Sequence, residues 1–175
     1  MAAPEIHTQR GPERAVHTLS LYVTNRPGVL VRVALVFARR GYNIESLVVS
    51  PAAHGDFSRM TITCSGDRAT LEQIIKQLAK LVDVVHAIDH TRDEAYETEI
   101  ALIKVRAELD ARTEILQVAE HFNAKVVDYG TESLVLRVYG SSQKLDALIA
   151  LLRPQGLLEL VRSGKILMAR GLKET

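Results

Sequence analysis

Apolar and polar residues alternate over residues 16–24, which predicts a half-buried β-strand. Leu19, Leu21 and Val23 fall on one face of that strand, and mainly hydroxyl-bearing residues fall on the other. A strand with this pattern packs its apolar face on a core and leaves its second face polar.

The apolar period then changes to that of a helix, which we place over residues 27–40. Pro27 suits the first helical position because its missing N–H would have no partner there, and Gly41 suits the end of the helix. The predicted buried side consists of Val29, Leu30, Val33, Ala34 and Phe37. Three more apolar residues lie outside this stripe: Val31, Leu35 and Val36. This extra face is either ordinary surface apolarity or a surface that a second subunit covers.

Three further strands and one further helix are predicted before residue 91. The strands lie over residues 44–50, 58–64 and 82–90, and a hairpin loop over residues 51–56 joins the first two. Asp67 caps the helix between the last two strands. The apolar stripe of this helix is Leu71, Ile74, Ile75 and Leu78. The order β-α-β-β-α-β is that of a ferredoxin-like sandwich, with both helices on one face of an antiparallel sheet.

The same order of elements returns after a polar, acidic stretch, residues 92–98, which we interpret as a linker. A strand over residues 100–107 comes first, followed by a helix that Asp110 caps. The remaining predicted elements are a hairpin of residues 125–129 and 133–139, a helix capped by Ser141 or Ser142, and strands 157–161 and 166–168. The predicted fold class is α+β, with two ferredoxin-like βαββαβ sandwiches in tandem, over residues 15–91 and 99–173.

Composition narrows the choice of partners and compartment. Lysine plus arginine number 22 against 21 acidic residues, so a net charge of +1 gives no electrostatic reason to expect nucleic acid or membrane. No apolar run approaches the ~20 residues of a membrane span. Cys64 is the only cysteine, which excludes a disulfide framework and fits a cytoplasmic protein. Residues 1–14 have no apolar middle, so we predict a disordered, frayed tail rather than a secretory signal.

The residue types that usually perform catalysis are not arranged for it in this sequence. The six histidines do not occur at metal-binding spacings, and there is no GxSxG, Walker or GxGxxG motif. The predicted inner strands lack the aromatic residues of an RNA-recognition module, and one thiol cannot form a soft-metal site. We therefore expect no catalytic or metal-binding residues, and a role in binding a small ligand or docking to a protein.

The turn that begins the first helix is the candidate site. Gly28 keeps this turn free of a side chain, so a ligand can approach the backbone closely. The first helical N–H groups lack intrahelical partners and lie at the positive end of the helix dipole, which suits a small carboxylate. Asn25 and Asn43 lie at the two ends of the unit and offer amide groups. We predict an amino-acid pocket; the alternative is that Asn25 only caps the helix and Asn43 only fills a turn.

Two segments resemble one protein family closely. Asn-Arg-Pro-Gly-Val-Leu at residues 25–30 and Arg-Gly-Tyr-Asn-Ile-Glu-Ser at residues 40–46 are similar to the N-terminal ACT domain of the acetohydroxyacid synthase (acetolactate synthase) small subunit. Residues 99–105 and Arg162-Ser163-Gly164 resemble the second domain of that family. The resemblance extends over residues 16–171, and the Arg-Gly-Tyr-Asn-Ile-Glu-Ser segment is its most specific part.

The resemblance implies a regulatory subunit that is not an enzyme on its own. Such a subunit binds a large catalytic subunit, activates it and confers feedback inhibition by valine in branched-chain amino acid biosynthesis. The large subunit carries thiamine diphosphate, Mg and FAD, and this chain is expected to carry no cofactor. Family ACT domains pair as homodimers around the effector. Carried over, the valine site comprises Asn25, Gly28, Val29 and Leu30 of one copy and Asn43 and Ile44 of the other. The alternative is an ACT-domain sensor of another amino acid that controls a different enzyme.

Overall fold

The structure is a computed structural model that describes residues 15–175, and the tail predicted over residues 1–14 lies outside this range. No helix in the described part is long and apolar enough to cross a membrane. The elements in chain order are β1 (Val16–Thr24), α1 (Val29–Ala38), β2 (Asn43–Pro51), β3 (Phe57–Ser65), α2 (Arg68–Leu78), β4 (Val84–Asp89), β5 (Tyr96–Arg106), α3 (Arg112–His121), β6 (Lys125–Tyr129), β7 (Ser133–Gly140), α4 (Ser142–Leu152), β8 (Leu157–Arg162) and β9 (Ile166–Met168).

The first sheet has the strand order β2-β3-β1-β4, and all of its pairs are antiparallel. The inward residues of β1 are Leu19, Leu21 and Val23, which are fully buried under α1 and α2. Leu71, Ile74 and Leu78 contribute the buried face of α2. This is the predicted ferredoxin-like arrangement, and it places β2 at an edge of the sheet.

The second sheet repeats that order as β6-β7-β5-β8, and β9 pairs with the first residues of β5. Its core combines the inward faces of β5 and β7 with α3 and α4. Strand β5 begins at Tyr96, so the last residues of the stretch predicted as a linker are already in a strand. They are held there because Tyr96, Glu97 and Thr98 pair with β9. The α+β fold of two tandem ferredoxin-like units is confirmed.

The start of α1 differs from the prediction. The helix begins at Val29, and Gly28 is its N-cap with φ of 85°, so Pro27 does not occupy the first helical position. A left-handed residue cannot belong to a right-handed helix, so the helical path starts only after Gly28. The helix also ends earlier than predicted, at Ala38 with Arg39 as its C-cap, so Gly41 lies two residues beyond the cap. Gly41 has φ of 63° and donates from its N–H to the carbonyl of Ala38 at 3.1 Å.

The buried face of α1 is also rotated from the predicted one. Val36 is buried with Val29, Val33 and Phe37, whereas Leu30 is 43% exposed. The buried set therefore follows the positions i, i+4, i+7 and i+8, which describe one stripe of a regular helix. Leu30 lies beside this stripe, at the surface.

The caps of the other helices are partly as predicted. Asp67 caps α2 by accepting a hydrogen bond from the Thr70 N–H at 2.8 Å, and Ser141 caps α4. Asp110 does not cap α3, whose N-cap is Ala111. The Asp110 carboxylate accepts a hydrogen bond from the N–H of Ala111, its immediate neighbour, because it lies one residue too early in the chain.

The second face of the first sheet is covered as well, which the alternation in β1 does not predict. The hydroxyl residues Thr18 and Ser20 of β1 are buried. Residues 164–175, which we call the C-terminal segment, contact this face: Lys165 Nζ lies 3.4 Å from Thr18 Oγ1, and Arg59 donates to the carbonyl of Thr175. The chain therefore encloses a polar sheet face with its own C-terminal segment.

Candidate functional site

Gly28 presents the backbone at the start of α1 without a side chain. No side chain of the described residues caps this helix, and its first turn contains no acidic residue. A Cβ built on Gly28 would lie 3.3 Å from Nη1 of Arg32. Arg32 is itself held by Asp83, whose carboxylate accepts from Nε at 2.8 Å. The start of α1 is therefore an exposed, positively polarised position.

Asn25 is fixed next to this turn by the loop that joins β2 to β3. Its backbone N–H donates to the carbonyl of Asp56 at 2.8 Å, and Nδ2 donates to the carbonyl of Gly55 at 3.2 Å. A cleft of about 400 Å³ lies beside Asn25, between Thr24, Arg26 and the same loop. The asparagine does not cap α1; since its amide nitrogen is used in the loop, the acceptor Oδ1 is what it offers a ligand.

Asn43 and Ile44 begin β2, beyond the other end of α1. Asn43 is exposed, and its Nδ2 donates to Oε1 of Glu45 at 3.3 Å. Ile44 is partly buried against the core of the first unit. The register of β2 against β3 shifts between Ile44 and Ser46, so Glu45 occupies a β-bulge. The sequence does not reveal this bulge, and Glu45 is a polar neighbour of the site that sequence reasoning missed.

One copy of the chain does not bring the two asparagines to one ligand. Helix α1 has ten residues and is therefore about 15 Å long, with Asn25 before its start and Asn43 after its end. A single amino acid spans less than about 4 Å along a chain. The six predicted site residues thus form two half-sites: Asn25, Gly28, Val29 and Leu30 at one end, and Asn43 and Ile44 at the other. Val29 is buried in the core and can offer only its backbone.

The surface between the two half-sites is apolar. Leu30 is 43% exposed, Val31 61% and Leu35 45%, all on α1. Val49 of the adjacent edge strand β2 is 43% exposed. An exposed apolar helix face beside an unpaired strand edge is typical of a surface that pairs with another chain. Val36, predicted as part of this extra face, is buried in the core instead.

The other side chains that could be reactive are the cysteine and a serine–histidine–aspartate set, whose thiol and hydroxyl are buried in strands of the first sheet. Burial, with smaller contributions from Asp89 and Glu45, raises the pKa of Cys64 to about 12, so this core thiol stays protonated at neutral pH. Ser20 Oγ lies 2.9 Å from His90 Nε2, and His90 Nδ1 lies 3.1 Å from Asp93. Ser20 is fully buried, so a substrate cannot reach the hydroxyl of this Ser20-His90-Asp93 arrangement. Residues 15–175 contain no cluster of three metal-ligating side chains.

Comparison with known proteins gives this geometry its context. A model described as the AHAS small subunit-like ACT domain matches residues 19–86, and one described as the small subunit of acetolactate synthase matches residues 98–171. The acetolactate synthase small subunit of Mycolicibacterium smegmatis is 46% identical over 155 residues, which cover 89% of this chain and 91% of that protein. The chain belongs to the acetolactate synthase small-subunit family. Residues 19–86 are hereafter its ACT domain and residues 98–171 its C-terminal domain.

More distant members of the family match over the same extent. The probable acetolactate synthase small subunit of Archaeoglobus fulgidus is 44% identical, with 90% of this chain and 99% of that protein covered. The crystal structure of the acetolactate synthase small subunit from Thermotoga maritima has a TM-score of 0.81 at 39% identity. The match covers 89% of this chain and 98% of that one. The small-subunit family assignment therefore applies to both domains, and membership of it implies a catalytic-subunit partner.

Proposed function

We propose that this chain activates the large catalytic subunit of acetolactate synthase and makes it sensitive to inhibition by valine. It has no catalytic activity and no cofactor of its own, and the large subunit carries thiamine diphosphate, Mg and FAD. Membership of the small-subunit family supports the proposal that the large catalytic subunit is the partner. The observation that carries the effector site is the pair of polar half-sites at the two ends of α1, joined by an exposed apolar surface.

A homodimer completes the effector site. When two copies pack α1 and the edge of β2 against each other around a two-fold axis, the start of one helix meets the end of the other. Asn25 and Gly28 of one copy then face Asn43 and Ile44 of the second. Leu30, Val31 and Leu35 are buried in such an interface, which accounts for their exposure in a single copy.

Each part of valine has a partner in this arrangement. The carboxylate accepts hydrogen bonds from the backbone N–H groups around Gly28 to Leu30, with the charge of Arg32 close by. It competes for the Val29 N–H with the carbonyl of Arg26, which lies 3.4 Å from that nitrogen. The ammonium donates to the Oδ1 atoms of Asn25 and Asn43, whose Nδ2 atoms already donate within the chain. The isopropyl group packs against Leu30 and Ile44. A pocket of this kind discriminates between side chains that differ by one methylene by only ~1–3 kcal/mol.

Inhibition at a distance follows from a preference of valine for one of two arrangements of the subunits. A ligand shifts an equilibrium only by the difference between its affinities for the two states, typically ~1–3 kcal/mol in allosteric proteins. Valine held between two copies favours one relative placement of the ACT domains. The catalytic subunit then senses that placement through its contacts with the chain.

Reconstitution tests this function directly. The purified chain is mixed with an acetolactate synthase catalytic subunit, and acetolactate formation from pyruvate is followed while valine, leucine or isoleucine is added. We expect no turnover by the chain alone, activation on mixing, and inhibition by valine. Co-purification without inhibition by any of the three amino acids would overturn the effector assignment. Failure to bind or activate the catalytic subunit would favour a sensor for another enzyme.

A further inference from the structure

The C-terminal domain contacts the ACT domain at the strand that carries half of the proposed effector site. Gly164 lies in the turn between β8 and β9, with φ of 82°. A Cβ built on Gly164 would be 2.7 Å from Cβ and 2.9 Å from Oγ of Ser46, and 3.5 Å from Cγ2 of Val48. The turn therefore lies directly against β2, with no room between them for one methyl group.

On the ACT side, the contact is two residues from the effector half-site. Asn43 donates to Glu45, and Oε1 of Glu45 also accepts a hydrogen bond from Oγ of Ser65 at 2.8 Å. The bulge at Glu45 turns Ser46 and Val48 to the face of the sheet opposite the helices, where they meet the turn. A displacement of Asn43 is therefore passed along one short piece of strand to Ser46.

On the other side, the turn is fixed firmly to the C-terminal domain. The Ser163 N–H donates to the carbonyl of Ile100 at 2.9 Å, and Ser163 Oγ accepts from the Ile100 N–H at 3.0 Å. Nε of Arg162 donates to the buried carboxylate of Glu99 at 3.0 Å. Lys165 Nζ contacts Glu97 at 2.7 Å. Movement of the turn therefore moves β5, the central strand of this domain, with it.

Space for such movement lies beside the contact. A cleft of about 360 Å³ separates the two domains and is lined by residues of both, including Glu45, Ser46 and Thr63 from the ACT domain. Oγ1 of Thr63 is buried there and has no hydrogen-bond partner among the described residues. The open flank beside the tight fit at Gly164 leaves room for two placements of this contact, which a relay requires.

We propose that Gly164 is a positioning residue that couples the effector site to the C-terminal domain through its contact with Ser46. This inference rests on the proposed valine site. Effector binding shifts Asn43, the bulge at Glu45 and Ser46, and the close fit at Gly164 passes the shift to β5. Loss of this fit leaves valine binding intact but weakens inhibition.

Gly164→Ala tests the coupling, and Gly171→Ala is its matched control. Both glycines have a left-handed φ, but a Cβ on Gly171 meets no atom within 4 Å, so only Gly164→Ala adds a clash to the same backbone strain. In the reconstituted holoenzyme, we expect Gly164→Ala to reduce the extent of inhibition at saturating valine about tenfold. Its valine affinity, measured by calorimetry on the same complex, stays within about threefold of wild type. Gly171→Ala behaves as wild type in both measurements.

Ser46→Gly supplies an independent test from the other side of the contact. Alone, it removes the Cβ that Gly164 touches, and we expect inhibition to weaken about threefold. Combined with Gly164→Ala, it makes room for the new methyl group and restores inhibition to within about threefold of wild type. This rescue separates a specific contact from general loss of stability, and Ser46→Gly remains informative if Gly164→Ala does not fold.

Three results overturn the inference. One is normal inhibition of both Gly164→Ala and Ser46→Gly. The second is an equal loss in Gly171→Ala, which attributes the effect to backbone strain. The third is loss of valine binding in parallel with loss of inhibition, which makes the contact part of the binding site. Absence of valine binding and inhibition in the wild-type holoenzyme refutes the proposed function instead, so the two failures are distinguishable.

Discussion

The two helices that follow the first strand of each domain begin in opposite ways. At the start of α1, Gly28 leaves the backbone bare, and Arg32 is held to one side by Asp83. At the start of α3, Arg112 closes the turn with its own side chain. Nη2 of Arg112 lies 2.7–2.9 Å from the carbonyl oxygens of Ala107, Gly130 and Thr131. The first start is open to a ligand, and the second is filled by the protein.

This difference shows how one fold carries two roles. Both domains have the same element order and the same strand order, so topology alone does not assign a ligand site. The local residues decide: a left-handed glycine and an adjacent asparagine at α1, an arginine that donates to carbonyls at α3. We therefore expect the ACT domain to respond to the effector and the C-terminal domain to serve stability and coupling.

The largest effect on valine sensitivity is expected when a side chain fills the open start of α1, as Arg112 fills the start of α3. Gly28→Asp places a carboxylate beside Arg32, in the position proposed for the carboxylate of valine. Like charges then compete for the same donors, and we expect at least about a 100-fold loss of valine sensitivity, or ~2.7 kcal/mol. The measurement is a valine titration of the reconstituted holoenzyme.

Gly171→Asp is the control for this variant, because it adds the same carboxylate at another exposed left-handed glycine. It should keep normal valine sensitivity, and both variants should still activate the catalytic subunit. If Gly28→Asp were inhibited like the wild type, the start of α1 would not be the valine carboxylate site.

The second effect concerns stability, and it contrasts the two arginines. Arg112→Ala removes donors from three carbonyls and a cation that lies 4.6 Å from the centroid of the Tyr129 ring. Since hydrogen bonds from charged donors contribute ~1.5–3 kcal/mol each, we expect a loss of about 2 kcal/mol in the free energy of unfolding. Arg32→Ala breaks an exposed ion pair and should cost less than ~1 kcal/mol. Urea unfolding of both variants measures their losses of stability. Equal losses would contradict the predicted difference between the two arginines.

The overall fold follows from the sequence because its signals are local. Period-2 strands, period-3.6 helices and the glycine after α1 predict every element of both domains to within a few residues. The errors occur where tertiary contacts override local signals. β5 begins at Tyr96, inside the predicted linker, because β9 pairs with it from about 70 residues further along the chain. Pro27 lies before α1 because the left-handed Gly28 delays the helix.

The site is less predictable because its parts lie far apart. The local motifs predict Asn25, Gly28 and Asn43 as polar or bare positions, but the separation of the asparagines by the whole of α1 appears only in the structure. The contact of Gly164 with Ser46 joins residues more than a hundred positions apart, so no periodic pattern contains it. The sequence shows the Arg162-Ser163-Gly164 segment only as part of the family resemblance, and the contact of Gly164 with Ser46 is visible only in the tertiary structure.

A third prediction concerns Asn43, in the second half of the proposed effector site. Asn43→Ala removes one of the two oxygens proposed to accept from the ammonium group of valine. A hydrogen bond to a charged group is worth ~1.5 kcal/mol at the lower end, so we expect about a tenfold loss of valine affinity. Calorimetry on the chain measures this affinity. Asn123→Ala, an asparagine beyond the end of α3, is the control and should bind valine normally. Wild-type affinity in Asn43→Ala would remove Asn43 from the site.

The smallest effect compares how the same two helices end. Gly41 after α1 and Asn123 after α3 both have positive φ, 63° and 54°, and each donates its N–H to the carbonyl three residues earlier. A residue that has a Cβ is disfavoured in this left-handed conformation by ~1–2 kcal/mol. Glycine has no Cβ and avoids this penalty, and asparagine avoids part of it. We therefore expect Asn123→Ala to lower the free energy of unfolding by ~1 kcal/mol and Asn123→Gly to leave it within ~0.5 kcal/mol. Equal stability of the alanine and glycine variants in urea would show that this helix end tolerates a right-handed residue, and the two helix ends would then not be equivalent.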